Sequence, residues 1–464
     1  MSGREKLNLD LEQNIKIQDI IFLSDDKVKR LSELKKRQRS SMDKLNNLKI
    51  AVVGCGYVGL PLIVELSKHF SVLGFDIDPS RIEELKNSID RNGDYSVKEV
   101  AEAHAAFSID KQKLKEFDVF IVAVPTPVMN NLPDLSCLIT ASQIVSSSLS
   151  PGNCVIYEST VSPGCTRNIC LPILEKGSGL RAGKDFFLAY SPERINPGDK
   201  KHSLGHVTKV VSGFDDKSLK IASGLYKKIV PSIHKAESME IAEASKLLEN
   251  IQRDVNIALI NELHFCFDKM GISMDSVLKS ASTKWNFSRY HPGLVGGHCV
   301  PVDPYYMLDA AKQFGINLPL IVQARKTNEE VVIKFYKKIL RNLKFPYTSS
   351  CVLINGLSFK PHVPDLRNSQ VPYLKRMLEQ NGIKVDIYDP NVKTDVAKKS
   401  FGIDLLEKKP LPDNYHLIVS PYDLSIKKGG GVLDCASVTE VVDDGGDATV
   451  CVDVGGGNGD FGKL

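Results

Sequence analysis

The stretch LKIAVVGCGYVG, Leu48 to Gly59, decides the fold. A short apolar run rich in Val and Ile passes directly into Gly54, Gly56 and Gly59, and a helical pattern follows at once. Each glycine of such a strand-to-helix turn has a separate role. The first makes the turn, the second lets backbone approach a pyrophosphate, and the third lets helix pack on strand. The next strand, SVLGFDID, carries Asp76, seventeen residues after Gly59, where a carboxylate takes ribose hydroxyls. Together these favour a dinucleotide over a methyltransferase-type site or a purely structural turn. A carboxylate there repels a 2′-phosphate, so the cofactor reads as NAD rather than NADP. Arg81 complicates this, because its guanidinium either binds such a phosphate or packs on the adenine.

Working outward, DVFIVAVPTP, NCVIYEST, DFFLAYSPE and HVTKVVSG repeat the strand texture between helical segments, which implies a parallel sheet covered on both faces. The chain is read as α/β, with residues 48–235 forming a doubly wound Rossmann domain. Thr126 and Thr160 follow two of these strands on the ligand side, as ligand contacts or as ordinary turn caps. From Ala236, AESMEIAEASKLLENIQRDVNIALINELHFCFDKM keeps apolar positions three and four apart without an internal Gly or Pro. One small domain cannot bury so long a helix alone, so residues 236–345 read as a helical region with a dimerisation surface. CVLINGLSF, VPYLKRMLEQNG, IKVDIYDP and HLIVSPYD make residues 346–464 a second, smaller Rossmann-like α/β domain with a glycine-rich tail. Residues 1–47, which include the basic run Lys35, Lys36, Arg37 and Arg39, read as an appended extension, partly helical or disordered.

At 464 residues, 42% hydrophobic and 25% charged with a formal net charge of +4, the composition is that of an ordinary globular protein and asks for no nucleic acid. No window approaches a membrane span and the N-terminus has no secretory pattern, so the expected location is cytoplasmic. The ten cysteines show no CxxC pairs and no metal spacing, so free thiols and no metal site are expected.

One thiol stands apart. In GLVGGHCVPVD, Gly293 to Asp303, Gly296 and Gly297 leave room for close approach, His298 can carry a proton or positive charge beside the sulfur, and Asp303 lies four residues beyond Cys299. Cys299 is therefore either a nucleophile or one more buried structural thiol. On the long helix Lys246, Asn250 and Arg253 share one face, either a solvated stripe or the wall of a cleft. A thiol combined with a dinucleotide suggests trapping of an aldehyde, a second hydride transfer to give a thioester, and release of the acid by water. Cys299, Lys246 and either Asp303 or Thr160 would supply nucleophile, base and water-orienting group.

The segments IAVVGCGYVGLPL, YESTVSPG, SPERINPGD, AEASKLLENIQRDVNIALINE, TKWNFSRYHPGLVGGHCVPVDPYY and NGLSFKPHVPDLRNS, in this order, resemble the UDP-glucose and GDP-mannose dehydrogenase superfamily of nucleotide-sugar 6-dehydrogenases, from about Leu48 to about Asp453. The resemblance implies oxidation of a C6 hydroxymethyl to carboxylate with two NAD+ per sugar. It implies Cys299 as the thioester nucleophile, Lys246 as acid, base and oxyanion stabiliser, Asp303 in water activation, Thr160 as a water or nicotinamide contact, and Glu193 as a site carboxylate. Asn250, Arg253, Arg194 and His291 are implied as substrate contacts, with Lys360 and Arg367 at the junction of the C-terminal domain. Tyr57, Val58 and Arg367 join the expected cofactor side, and Ile195, Arg289 and Gly293 the substrate side.

Pro197 stands where relatives acting on UDP-glucose often carry a second glutamate. SPERINPGD, KWNF, GGHC and VDPYY instead resemble the branch acting on UDP-N-acetylhexosamines, with UDP-N-acetylgalactosamine or its gluco epimer expected; Pro301 leaves the epimer open. UDP-N-acetylmannosamine or UDP-glucose is the rival substrate, and a non-catalytic NAD-binding scaffold the rival of another class. A UDP-sugar and a second copy of the chain, as a homodimer or higher homo-oligomer, are the expected partners.

Overall fold

A computed structural model describes residues 47–193 and 204–430. The first unit opens with β1 (Lys49–Val53), α1 (Gly59–Ser67), β2 (Ser71–Phe75), α2 (Pro79–Lys86), α3 (Val97–Glu102), β3 (Ala106–Ser108) and β4 (Val119–Val122). It continues through the hairpin β5 (Val128–Met129) and β6 (Leu132–Pro133), then α4 (Ser136–Ser146), β7 (Cys154–Tyr157), α5 (Leu171–Ser178) and β8 (Phe187–Tyr190). It closes with β9 (Thr208–Gly213), α6 (Asp216–Tyr226) and β10 (Ser232–Lys235).

Eight strands form one sheet in the order β10-β9-β8-β7-β4-β1-β2-β3. In β1, Ile50 and Val52 enter a core with Leu60, Leu62 and Leu66 of α1, while Ala51 and Val53 enter another with Leu138, Val145 and Leu174. The period-two alternation of a strand thus feeds two apolar layers, which is why the sequence run is almost continuously hydrophobic. Strand order reverses between β1 and β4, and the glycine turn sits at that switch point. The sheet is not wholly parallel: β9 pairs antiparallel to β8, Tyr190 opposite Ser212. Apolar content identifies a buried strand but does not encode its direction.

The helical region begins with α7 (Met239–Lys269), capped by the Ser238 side chain, followed by α8 (Met274–Ala281), α9 (Asp303–Gln313) and α10 (Pro319–Arg341). Helix α7 packs along α10 and α9. Its hidden face carries polar groups: Glu243, Lys246, Asn250, Asp254 and Asn261 are all buried. The last unit comprises β11 (Cys351–Asn355), α11 (Val371–Glu379), β12 (Lys384–Tyr388), α12 (Thr394–Phe401), β13 (Leu417–Ser420) and β14 (Ser425–Lys428). Its sheet order is β12-β11-β13-β14, with only β14 antiparallel.

No helix among the described residues is long and apolar enough to cross a membrane. Among the described residues seven cysteines are free, whereas Cys351 is disulfide-bonded, contrary to the expectation of free thiols throughout. The N-terminal extension and the glycine-rich tail lie outside the described residues.

Candidate active site

The glycine turn has the shape its sequence implies. Gly54 adopts φ +99°, and a Cβ there would meet Ala123 O at 2.6 Å; a Cβ on Gly59 would lie 1.8 Å from Gly54 O. Gly56 is exposed, and a Cβ added there would meet nothing within 4 Å, so its backbone is open to a ligand. Asp76 braces the turn by accepting the Cys55 N–H at 2.8 Å and the Asp78 N–H at 3.0 Å, and keeps lone pairs for a ribose.

Arg81, expected beside the cofactor, is turned inward. It is 4% exposed, donates Nε–H to Cys55 O at 2.9 Å and pairs through Nη2 with Asp90 at 2.8 Å. Held in this way, it supports the turn and does not present its guanidinium to a 2′-phosphate. The Val58 side chain is likewise in the core, leaving only its backbone for a ligand. Tyr57 lies on the open side: its ring meets the His298 ring edge-on at 4.0 Å, and the Arg367 guanidinium sits 4.4 Å from its centroid. Cofactor turn and thiol loop therefore touch.

At the ends of β4 and β7, the Thr126 hydroxyl donates to Thr160 O at 2.8 Å, so Thr126 acts as a loop lock. Tyr306 of α9 donates to Thr126 O at 2.9 Å, tying the same loops to the helical region. The loop after Thr160 is fastened to α7 by Glu243, whose carboxylate accepts the N–H groups of Gly164 at 2.5 Å and Thr166 at 2.9 Å. Burial still pushes the Glu243 carboxyl up to about 7, outweighing those hydrogen bonds. One turn further along α7 stands Lys246.

A cleft of about 880 Å³ lies between α7, the thiol loop and the C-terminal unit, a volume within the ~300–1,000 Å³ usual for small-molecule sites. Lys246, Asn250, Arg253, His291, Gly293, Cys299 and Lys360 all line it, which brings seven of the sequence-derived residues into one cavity. The cleft reading of the Lys246 face thus prevails over the solvated stripe at Lys246 and Asn250, both 7% exposed, while Arg253 stays exposed at the rim. Cys299 O accepts the N–H groups of Val302 and Asp303, a turn that leads straight from the thiol into α9. Asp303, 1% exposed, receives the Asn250 side-chain amide at 2.5 Å.

Burial pushes the Cys299 thiol up to about 11; the Lys246 ammonium pulls the other way, while Asp303 and Glu193 add to the rise. Lys246, Asp303 and Glu193 thus lie within electrostatic reach of the sulfur. Arg289 is exposed and does not line the cleft. Arg194 and Ile195 lie outside the described residues.

One expectation about the thiol loop is corrected and another is extended. His298 does not carry charge beside the sulfur, because burial first, then Arg367 and Lys246, push its imidazole down to about 3. Neither ring nitrogen has a hydrogen-bond partner among the described residues, and at 4.0 Å from Asp365 a neutral ring makes no ion pair. Gly296 and Gly297 both line the cleft, and the absence of their side chains also accommodates Phe359. A Cβ on Gly296 would lie 2.6 Å from Phe359 Cβ, and Gly297 (φ +80°) would place one 2.9 Å from the Phe359 ring.

Sequence reasoning also missed Phe359 and Tyr422, which line the cleft, and Asn261, which holds the loop. Phe359 adjoins Lys360 in a segment already singled out. Asn261 continues the α7 face of Asn250 and Asp254 at helical spacing.

A doubly wound dinucleotide fold whose glycine turn abuts a thiol-bearing cleft defines a dinucleotide-dependent oxidoreductase. Residues 48–230 match the NAD binding domain, 240–330 the central domain and 353–424 the UDP binding domain of the UDP-glucose/GDP-mannose dehydrogenase family. The chain belongs to that family. It is 46% identical over 366 residues to UDP-N-acetyl-D-glucosamine 6-dehydrogenase of Pseudomonas aeruginosa, covering 77% of this chain and 86% of the relative. It is 45% identical over 370 residues to protein CapL of Staphylococcus aureus, covering 79% and 87%. The solved structure of a UDP-D-ManNAc dehydrogenase from Pyrococcus horikoshii superposes with a TM-score of 0.73 at 31% identity, covering 81% of this chain and 89% of that one. The cofactor is NAD, which the open Gly56 backbone, the Asp76 carboxylate and the inward Arg81 all fit.

Proposed function

We propose that this protein oxidises the C6 hydroxymethyl group of a UDP-N-acetylhexosamine, UDP-N-acetylglucosamine or its galacto epimer, to the uronic acid for a surface polysaccharide precursor. The observation that carries this reading is the single cleft holding Cys299, Lys246 and Asn250 together with Lys360 of the UDP-binding unit. The 46% identity to a UDP-N-acetyl-D-glucosamine 6-dehydrogenase supports the substrate class. In balance, the alcohol, water and two NAD+ give the carboxylate, two NADH and three protons.

NAD+ held at the Gly54–Gly59 turn and Asp76 supplies the hydride acceptor for both oxidations. In the first, Lys246 takes the hydroxyl proton as C6 loses hydride, leaving an aldehyde. Cys299 Sγ then bonds to the aldehyde carbon while its proton passes to the carbonyl oxygen, giving a thiohemiacetal whose developing oxyanion Lys246 stabilises. Loss of the second hydride from C6 leaves a thioester. Asp303, oriented by Asn250, directs water at that carbon with Thr160 and Glu193 alongside. The C–O bond forms, the C–S bond breaks and the thiol regains a proton. A thiol held at about 11 suits this cycle, because it is protonated at rest and a competent leaving group only when protonation accompanies departure.

His291, Gly293, Arg253 and Lys360 line the substrate end of the cleft, and Arg367 over Tyr57 stands on the cofactor side. The proposed domains are 48–235 for NAD, 236–345 for the helices with the thiol loop, and 346–464 for UDP. Exposed Leu248 and Leu259 on α7 support a homodimer through that helix, and the proposed location is the cytoplasm. The test is incubation of purified protein with NAD+ and separate UDP-sugars, following NADH and identifying the acid by mass spectrometry. Two NADH per UDP-N-acetylhexosamine are expected. Turnover of only UDP-N-acetylmannosamine or UDP-glucose would move the assignment to that substrate, and turnover of none would overturn it.

A further inference from the structure

Ten consecutive residues, His291 to Val300, line the cleft, and their fastenings divide in two. At the near end, Asn261 grips both backbone groups of Gly293: Asn261 Oδ1 accepts the Gly293 N–H at 2.8 Å and Nδ2 donates to Gly293 O at 3.1 Å. From Leu294 onward to the thiol the grip comes from the UDP-binding unit, beginning with the Leu294 N–H, which donates to Pro421 O at 3.0 Å. Gly297 N–H donates to Arg367 O at 3.0 Å, the Asn368 amide donates to Gly297 O at 2.9 Å, and the Gln370 amide donates to Val295 O at 2.8 Å.

The Asn261 amide is itself oriented by a buried relay. Its Nδ2 also donates to Asn328 Oδ1 at 3.0 Å, and Asn328 Nδ2 donates to Asp254 O at 3.0 Å and Asp254 Oδ1 at 2.8 Å. Arg325 pairs with the same Asp254 oxygen at 2.6 Å. Asn261, Asn328 and Asp254 are 0% exposed. Because Asp254 Oδ1 accepts only, Asn328 must present its NH2 there and its oxygen to Asn261, which leaves the Asn261 oxygen for Gly293 N–H. Gly293 also lies close against the UDP-binding unit, since a Cβ there would be 2.6 Å from Tyr422 O.

We propose that Asn261, oriented through Asn328 by Asp254 and Arg325, is a positioning residue that sets the substrate-binding end of the His291–Val300 loop independently of Cys299. The inference rests on the UDP-sugar reading above and predicts a separation that a general structural role would not produce. Loosening Gly293 weakens nucleotide-sugar binding, while Cys299 keeps its own anchors at residues 367–370 and the cofactor turn is untouched.

The experiment compares wild type, Asn261→Ala, Asn261→Ser, Asn328→Ala and the Asn261→Ala/Asn328→Ala double variant. Calorimetric Kd for UDP-N-acetylglucosamine is measured without NAD+, and KM for each substrate and kcat with it. Asn261→Ala is expected to weaken sugar-nucleotide binding about tenfold, equivalent to about 1.4 kcal/mol, with KM for NAD+ and kcat each within about twofold. Asn261→Ser, which retains one hydrogen bond, should fall between, and the double variant should match Asn261→Ala because the two residues act in series. Unchanged sugar-nucleotide affinity in correctly folded Asn261→Ala, a parallel loss of NAD+ and sugar affinity, or additive single-variant effects would each overturn the proposal. The Kd readout stands without turnover, so an inactive wild type would count against the proposed reaction while the positioning role is still decided by binding.

Discussion

The resting protonation of Cys299 makes a quantitative prediction for alkylation by iodoacetamide. At pH 8 a thiol held at about 11 is ~0.1% thiolate, against ~24% for an ordinary thiol near ~8.5, a deficit of roughly 240-fold. The more basic thiolate recovers about 13-fold of this for a Brønsted slope of ~0.45, leaving native Cys299 about 20-fold slower than the same residue in urea-unfolded protein. Steric shielding alone would also slow labelling, so the pH dependence decides. The native rate should climb about tenfold per pH unit from 8 to 10 while the unfolded rate levels off near ~8.5. Pulse labelling with mass spectrometry of the Cys299 peptide reads both rates. In Lys246→Met the opposing ammonium is gone, so labelling at pH 8 should slow further. Native labelling as fast as unfolded at pH 8, or a native rate that levels off below pH 9, would refute the protonated-thiol account.

Two other predictions follow from the same loop. Gly297→Ala combines φ +80° with a Cβ 2.9 Å from the Phe359 ring, so it should cost about 1–3 kcal/mol in urea-denaturation stability and lower kcat more than affinity for UDP-sugar; Phe359→Leu in the same chain should restore part of the loss. The His298 imidazole, depressed to about 3, contributes stability that is complete above its unfolded value near 6.5 and is lost as pH falls. Relative to His298→Leu, the wild type should therefore lose ~2.3 kcal/mol between pH 6.5 and 4.5. Measuring the difference matters, because Glu243, raised to about 7, acts with the opposite sign: its contribution is lost as pH rises. A constant gap between the two proteins across that range would show that His298 takes up its proton as readily folded as unfolded.

The nucleotide half of the site was legible because its constraints are local. A strand, three glycines at set spacing and a carboxylate at the end of the next strand each impose geometry on the few residues beside them, and Gly54, Gly59 and Asp76 sit as their spacing requires. Long-range facts were not legible. The partners of Arg81 include Asp90, in the segment beyond α2, and the neighbour that keeps Gly296 and Gly297 bare is Phe359, in another unit. For the same reason His298 was misread: a histidine beside a cysteine suggests an activating cation, but its charge is set by burial and by Arg367, distant in sequence. The direction of β9 and the edge strand β14 escaped because hydrophobicity does not distinguish parallel from antiparallel partners. Asn261 was readable in principle, lying two and three turns beyond Asp254 and Asn250 on one helix, yet an asparagine on a mixed helix carries no signal until Gly293 is known to face it.

The fastening of the thiol loop also bears on the order in which the protein matures. As the chain is synthesised, Cys299 emerges well before Arg367, Asn368 and Gln370, the residues that hold its loop. Until those residues arrive, the Val295–Gly297 segment lacks these hydrogen bonds, and a nascent or truncated chain carries Cys299 on an unfastened loop. Completion of the last domain thus both assembles the cleft and fastens the loop that carries its thiol.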